Sequence, residues 1–269
     1  MSALALPQLA VARVVERNAP CLYVGHGGPN LGTSRVHGGE LRQWGATLPA
    51  PLGIVAITPH VRSRGIQLSA LGPGEALMSY PRRFWRRSGP LSYDTPNSRT
   101  LGTQVAEQLR AHADVQLEQT GTNHTVWQPL LHMRPQADAP VVQLALPFAY
   151  TDRALFELGA RLSPLRSMGV WLVGSGNLTH NLGGMGRGTP RWARRFDDWV
   201  ARRLGDWDLD APVDWRRAAP NAFVAHPDDG GHFDVLLVLL GAAAGQRRDV
   251  SFALESFNGG LSKRCARIG

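Results

Sequence analysis

Four short runs of apolar residues alternate along the chain with longer segments of mixed polarity. Each run is rich in valine, isoleucine or leucine, and Gly, Pro or Ser follows closely. Runs of this kind are typical of strands that are buried on both faces of a sheet. We therefore predict buried strands at Cys21–Val24, Gly53–Ile57, Val141–Leu146 and Gly169–Val173.

The segments between these runs show the spacing of helices. Leu101, Val105 and Leu109 recur every four residues, which places them on one face of a helix. Asp152 precedes another periodic segment in the position of an N-cap. The predicted helices are Thr100–His112, Asp152–Leu165, Arg191–Leu204 and the very apolar Phe233–Ala244.

Alternating strands and helices predict an α/β fold. We expect a single domain over residues 1–269, with a central mixed or parallel sheet flanked by helices and with residues 1–19 as an N-terminal extension. A chain of 269 residues, 43% of them hydrophobic, can bury a large core. Ligands of such sheets bind beyond the carboxyl ends of the strands, so we expect the functional site at that edge.

The cysteines and the N-terminal sequence bear on cellular location. Cys21 and Cys265 are too few for a disulfide framework or a cysteine-based zinc site, and they favour a reducing compartment. The first twenty residues lack the basic start of a signal peptide. No apolar run approaches the roughly 18 residues that would span a bilayer. We therefore expect a cytoplasmic protein with no membrane partner.

The charge of the chain does not indicate nucleic-acid binding, although the formal net charge is +8. Lys263 is the only lysine, and the arginines are scattered, which is typical of a compositional bias rather than of a basic binding surface. The tightest cluster is Arg82, Arg83, Arg86 and Arg87. This cluster is either a clamp for an anionic substrate group or a solvated surface loop.

Several histidines directly follow a predicted strand or open a predicted helix. His26, His60 and His180 come after predicted strands, and His232 opens the apolar helix. A single histidine in such a place is more often a hydrogen-bonded structural residue than a ligand. Four at one edge of a sheet favour a metal site, because imidazole is a common ligand of Zn, Fe, Cu and Ni.

The strings around these histidines resemble the class III extradiol ring-cleavage dioxygenases. The most similar branch is the DOPA 4,5-dioxygenase-like one, which shares the LigB fold. The resemblance runs in order from residue 22 to residue 269, and the strings around His124 and His180 are its most specific parts. The strings that carry it are Tyr23–Pro29, Ile57–His60, Asn123–Leu144 and Gly174–Leu182.

This resemblance implies one metal ion and insertion of both atoms of O2 into an aromatic ring beside its two hydroxyls. His26 and His60 fall on two metal-ligand histidines of the family. His232 falls on the third ligand, which in this branch is a histidine instead of a carboxylate. His180 matches a histidine that is either a further ligand or an acid–base residue. His124 matches a residue that contacts substrate or oxygen, so His124 and His180 are the implied catalytic residues.

Fe(II) is the implied working metal, because three protein ligands leave positions for a catechol and O2. A base must remove a ring-hydroxyl proton, and an acid must donate a proton as the O–O bond breaks; histidine titrates in the right range for both. An all-histidine ligand set also suits Zn(II) as a bound metal. We expect the substrates to be O2 and a small aromatic diol or aminophenol, and the protein to be a monomer or a small homo-oligomer.

The departures from the family pattern leave the implied ligand histidines intact, and one of them is His226, which lies where the branch often has another residue. Val61 follows His60 where the family has Trp, and Gly231 precedes His232 where the family has Glu. The segment Glu75–Tyr93 replaces family residues that line the substrate pocket. The substrate is therefore less determined than the reaction. The alternative function is a zinc-binding hydrolase or a metal-dependent binding protein on the same scaffold.

Overall fold

The computed structural model describes residues 18–70, 91–110, 113–228, 230–245 and 249–269. Its strands are β1 Cys21–Gly25, β2 Gly53–Ser63, β3 Ile66–Ala70, β4 Val115–Glu118, β5 Val141–Pro147, β6 Val170–Gly176, β7 Val250–Ala253, β8 Phe257–Asn258, β9 Leu261–Ser262 and β10 Cys265–Ile268. Its α-helices are α1 Arg35–Ala46, α2 Arg99–Arg110, α3 His124–Met133, α4 Asp152–Leu162, α5 Pro164–Ser167, α6 Arg191–Gly205, α7 Asp210–Val213, α8 Trp215–Ala218, α9 Ala222–Ala225 and α10 Gly231–Ala243.

Eight strands form one mixed sheet in the order β4-β3-β5-β2-β6-β1-β10-β7. The central strands β5, β2, β6 and β1 are parallel, whereas β3 and β10 run antiparallel to their inner neighbours. This arrangement confirms the predicted α/β fold with a central mixed sheet and flanking helices. The four parallel strands end at the same edge of the sheet, and that edge carries the candidate site.

The sheet separates two layers of the core, and β1 shows how the sequence supplies both. Cys21 and Tyr23 pack into the layer that contains residues of α2, α4, α6 and α10. Leu22 and Val24 pack into the opposite layer with residues of α1 and α3. Successive side chains of a strand point to opposite faces, so a strand covered on both faces is apolar at every position.

Helix α10 is buried on all sides, since it lies between the sheet and α4. Gly159 on α4 and Gly241 on α10 allow this close approach. A Cβ atom at Gly159 would overlap the carbonyl of Val238, and one at Gly241 would overlap the carbonyl of Phe156. The backbones of the two helices therefore lie in contact. This contact fixes the position of α10 and of His232 in its first turn.

The predicted strands and helices are present, with some corrections at their ends. The structure divides the predicted helix over residues 152–165 into α4 and α5. The prediction that Asp152 caps this helix is wrong. Thr151 is the N-cap, and its side chain accepts a hydrogen bond from the backbone N–H of Ala154 at 3.2 Å. Asp152 is the first helical residue, where its negative charge interacts favourably with the positive end of the helix dipole.

Two arginines that the described chain buries are structural. Arg166 is fully buried and donates hydrogen bonds to the carbonyls of Ala19, Ala242 and Gly269. Arg264 pairs with the buried carboxylate of Asp197 at 2.7 Å. These contacts give part of the positive charge a role inside the fold. The cluster Arg82, Arg83, Arg86 and Arg87 lies outside the described residues.

Among the described helices, none combines the length and apolar character needed to cross a membrane.

Candidate metal centre

Three histidines from distant parts of the chain meet at the carboxyl edge of the sheet. His26 follows β1, His60 lies in β2, and His232 is the second residue of α10. One ring nitrogen of each lies within 4.8 Å of the corresponding nitrogens of the other two. Nε2 of His60 lies 3.1 Å from Nε2 of His232. This is the arrangement expected of three ligands around one ion.

Hydrogen bonds between β1 and β6 hold His26 in place. Its backbone N–H donates to the carbonyl of Gly176 at 3.0 Å. The side-chain amide of Asn177 accepts from the backbone N–H of Gly27 at 2.8 Å and donates to its carbonyl at 3.2 Å. Gly27 has a φ of 66°, a conformation in which glycine carries no steric cost. The turn after β1 is therefore fixed, and the imidazole with it.

A hydrogen bond to Ser175, in the neighbouring strand β6, orients the ring of His26. Its Nδ1 lies 3.1 Å from Oγ of Ser175, and this hydroxyl donates to the carbonyl of Thr125 in α3. The carbonyl of Thr125 is available because Pro129, four residues later, has no N–H to donate to it. Ser175 therefore accepts from Nδ1–H of His26, which leaves Nε2 with the lone pair that a metal needs.

His60 occupies an irregular part of β2. The sequence predicted that the strand ends at Ile57, but β2 continues to Ser63, and its register with β5 shifts between Thr58 and Arg62. The backbone N–H of His60 bonds to Oγ1 of Thr58 at 3.2 Å, and this hydroxyl is 2.6 Å from Oγ1 of Thr125. A bulge of this type redirects a side chain.

The third histidine depends on the start of α10. Gly230 precedes this helix with a φ of 88°, and the hydroxyl of Tyr23 donates to the carbonyl of His232 at 3.3 Å. Two residues further on, the carboxylate of Asp234 accepts a hydrogen bond from the guanidinium of Arg62 at 2.9 Å. These contacts tie the first turn of α10 to β1 and β2, the strands that position the other two histidines.

The surroundings keep the three imidazoles neutral. Burial, followed by the neighbouring histidines, holds the pKa values of His26 and His232 well below the usual 6.5. Part of the His60 side chain is exposed, yet burial of its ring and the nearby His124 and His180 lower its pKa to about 4. Neutral imidazole is the form that binds a metal. The donor set therefore fits a divalent cation near neutral pH.

The two other candidate histidines stand beside this group. His124 is the first residue of α3, and its ring centre lies 5.4 Å from that of His60. His180 stacks on His232 with 3.4 Å between ring centres and 10° between planes. The Nδ1 of His180 lies 2.7 Å from Oδ2 of Asp228, so it donates to this carboxylate and leaves Nε2 available.

The five histidines surround a cavity of about 240 Å³. Both α3 and α10 begin here, so the positive ends of two helix dipoles face the cavity and favour an anionic ligand. No carboxylate is among the described residues that line it. The described lining residues are His26, Gly27, Gly28, Pro29, His60, His124, Thr125, Gln128, His180, Leu182, His232 and Leu261.

Sequence reasoning assigned no role to several residues that shape this site. Gln128 lies one helical turn after His124, and this i, i+4 spacing was the available signal. Asp228 lies in the string before His232, but its contact with His180 joins parts of the chain that sequence spacing does not relate. Ser175 acts through a similar long-range contact.

His226 is a structural residue outside the cavity. Its Nε2 lies 2.8 Å from the carbonyl of Leu178, to which it donates, and its ring packs edgewise against Phe196, Trp215 and Phe233. The sequence marked this histidine as a departure from the resembled branch. In the structure, this hydrogen bond and these ring contacts make His226 part of the core that supports the site.

The fold and the site together define an α/β metalloprotein with one histidine-rich centre at the carboxyl edge of its sheet. Residues 32–259 match the family described as the catalytic LigB subunit of aromatic ring-opening dioxygenase. The chain belongs to this family and to its DOPA dioxygenase-like branch; it is an extradiol ring-cleavage dioxygenase. The matched range includes His60, His124, His180 and His232, and it begins shortly after His26.

Named relatives agree with this membership over most of their length. The chain is 31% identical over 267 residues to a 4,5-DOPA dioxygenase extradiol of Escherichia coli K12, covering 93% of this chain and 94% of that protein. It is 27% identical over 249 residues to the Beta vulgaris protein of the same name, with 89% and 92% covered. The crystal structure of an uncharacterized Escherichia coli K12 protein superposes with a TM-score of 0.77 and 28% identity, covering 93% of this chain and 100% of the other.

Proposed function

We propose that this protein cleaves the ring of a catechol-type or aminophenol-type substrate with O2 at a single non-haem Fe(II) ion. The observation that supports this most strongly is the convergence of three neutral histidine nitrogens within 4.8 Å of one another, beside a cavity with two further histidines. A site with three protein ligands leaves open positions for both substrates.

His26, His60 and His232 are the proposed ligands. The contact between His26 and Ser175 supports this assignment, because a hydrogen bond at Nδ1 orients the ring and leaves Nε2 for the metal. When bound, the metal supplies Lewis acidity for the ring hydroxyls and electrons for O2. The protein supplies the orientation of the ring, the exclusion of water and the movement of protons.

His124 and His180 are the proposed acid–base residues. His124 stands beside His60 at the start of α3, within reach of a substrate in the cavity. His180 was also a candidate ligand. Its Nδ1–H is held by Asp228, and this carboxylate stabilises the charged imidazolium that forms when Nε2 takes up a proton. This pairing supports an acid–base role for His180, with Nε2 as the atom that holds the moving proton.

The size and charge of the cavity support a small aromatic substrate. Cavities of about 150 Å³ accommodate benzene, so about 240 Å³ has room for one ring with its hydroxyls and a short substituent. The positive ends of α3 and α10 and the all-histidine ligand set favour a deprotonated catechol. DOPA, which appears in the names of the relatives, is one such substrate and belongs in the test panel.

The alternative is a zinc-dependent hydrolase or binding protein. Three histidines with an open fourth position also form catalytic zinc sites, so the ligand set by itself suits this function. The two functions differ in their consumption of O2. Zinc in a purified sample does not decide between them, because an all-histidine site accepts either metal.

Anaerobic reconstitution with Fe(II), followed by O2 uptake with a panel of catechols and aminophenols, tests the proposal. We expect one O2 consumed per ring opened and a yellow ring-fission product, with zinc-loaded protein as the inactive control. If the Fe(II)-loaded protein consumes no O2 with any member of the panel, the dioxygenase proposal is wrong.

A further inference from the structure

One polar side chain in the cavity wall has a donor that the protein does not use. Gln128 is 2% exposed and lines the cavity. Its amide nitrogen, Nε2, is buried and has no hydrogen-bond partner among the described residues. Leaving a buried donor unpaired costs about 1–3 kcal/mol. Because Gln128 lines the cavity, rotation of its amide would present this donor to an acceptor on a bound ligand.

The position of Gln128 relates it directly to the reaction centre. It follows His124 by four residues on α3, so the two side chains lie on the same helix face, with about 5–6 Å between their Cβ atoms. The ring of His124 stands next to His60. Gln128 therefore lies in the same cavity wall as His124, one helical turn further along α3.

The neighbours of Gln128 hold it in this place. A Cβ atom at Gly32 would lie only 3.3 Å from its Cγ, so the absence of a side chain there makes room for the glutamine. The hydroxyl of Thr125, which also lines this wall, is already bonded to Thr58 and Asn123. Besides the imidazole of His124, the amide of Gln128 is the donor that this face of α3 offers to a ligand.

We propose that Gln128 is a specificity-determining residue whose Nε2 donates a hydrogen bond to an oxygen on the ring substituent remote from the diol. The preferred substrate is then a catechol whose substituent carries a carboxylate or carbonyl oxygen. This inference rests on the proposed function, since it places the diol at the metal centre. A substrate without this acceptor leaves the amide unpaired, and a buried unpaired donor is the strongest basis for discrimination.

The test compares Gln128→Leu with the unchanged protein on matched substrates. Leucine has a similar size and lacks the donor. The substrates are 3,4-dihydroxybenzoate, 3,4-dihydroxybenzaldehyde and 4-methylcatechol, which present a carboxylate, a carbonyl and a methyl group. We expect the ratio of kcat/KM for the benzoate to that for 4-methylcatechol to fall at least tenfold. Each substrate is compared with itself in the two proteins, so differences in ring reactivity cancel.

The third substrate and a control variant identify the cause of the change. A similar fall for the benzaldehyde assigns the effect to hydrogen bonding, whereas a fall for the benzoate alone assigns the carboxylate as the group recognised. Gln116→Leu, at an exposed position on β4 far from the cavity, should leave the ratio unchanged. An equal loss for all three substrates, or no change in the ratio, would overturn the proposal.

Binding without turnover separates this inference from the proposed function. Calorimetry under anaerobic conditions measures the affinity of each catechol for the unchanged protein and for Gln128→Leu. We expect the variant to bind the benzoate at least tenfold more weakly and 4-methylcatechol no more weakly. If no catechol is cleaved but this difference appears, the proposed reaction fails and the role of Gln128 stands. If the ring is cleaved and the affinities do not separate, the role of Gln128 is wrong.

Discussion

Acidification should destabilise the protein through His226, the buried histidine beneath the site. Burial lowers the pKa of His226 to about 4, from the usual 6.5. The cause is the burial of the ring, whose Nδ1 has no hydrogen-bond partner, and it outweighs the bond from Nε2 to the carbonyl of Leu178, which by itself raises the pKa. A proton added at Nδ1 would place an unpaired charge among Phe196, Trp215 and Phe233.

The magnitude and the sign follow from these two pKa values. Above pH 6.5, His226 is neutral in both the folded and the unfolded chain and has no effect on the pH dependence. As the pH falls from 6.5 to 4, the unfolded chain binds a proton that the folded chain refuses, so the free energy of unfolding decreases. One pKa unit corresponds to about 1.4 kcal/mol, which makes the full loss about 3 kcal/mol.

Urea denaturation of the metal-free protein between pH 8 and pH 4 measures this effect, with His226→Gln as the comparison. The other buried histidines remain in both proteins, so their contributions cancel in the difference. We expect the variant to be less stable at pH 8, and the difference to shrink by about 3 kcal/mol at pH 4. Parallel stability curves over this range would refute the assignment of His226 as a neutral core residue.

Three further predictions concern the site and its supporting helices. Asp228→Asn should lower kcat about tenfold or more and leave metal content unchanged, because the carboxylate orients His180 and stabilises its charged form; steady-state kinetics and elemental analysis measure both. His232→Ala should abolish metal retention after dialysis, with the circular dichroism spectrum unchanged. Gly241→Ala should lower the free energy of unfolding by about 1–3 kcal/mol because α10 loses its contact with α4, whereas Gly39→Ala, whose Cβ faces open space, should raise it by up to about 1 kcal/mol.

Matched variants provide the controls for the two site predictions. Asp210→Asn removes an exposed carboxylate that pairs with Arg153 at the surface, and it should leave kcat unchanged. His226→Gln removes a histidine outside the cavity and should retain the metal. Normal turnover in Asp228→Asn would contradict the role given to that carboxylate. Full metal content in His232→Ala would remove this histidine from the ligand set.

The regular elements were predictable where a single physical signal dominated. Most positions in the four central strands are apolar because helices cover both faces of the sheet, and this pattern is visible in sequence. Helix α3 was not predicted as a helix. Pro129 and the β-branched residues Thr125 and Val126 oppose a helix locally, and burial of its apolar side chains against the sheet outweighs them.

The extension of β2 beyond Ile57 was missed for a related reason. Pro59 cannot donate a hydrogen bond to a ladder, which is a local signal for the end of a strand. The strand continues because its register shifts at this point and pairing with β5 resumes at Arg62. The irregularity is what presents His60 at the cavity. Local rules fail here at a site residue, as is common where function requires an unusual backbone.

The sequence alone determined the fold class, the family resemblance and the set of five histidines. These depend on residue type and order, which the hydrophobic pattern and the motif strings express directly. Tertiary structure decided which atoms meet. The proximity of three ring nitrogens, the pairing of His180 with Asp228 and the unpaired amide of Gln128 depend on contacts between strands and helices far apart in the chain. Distances of this kind arise only from packing, so a linear pattern does not contain them.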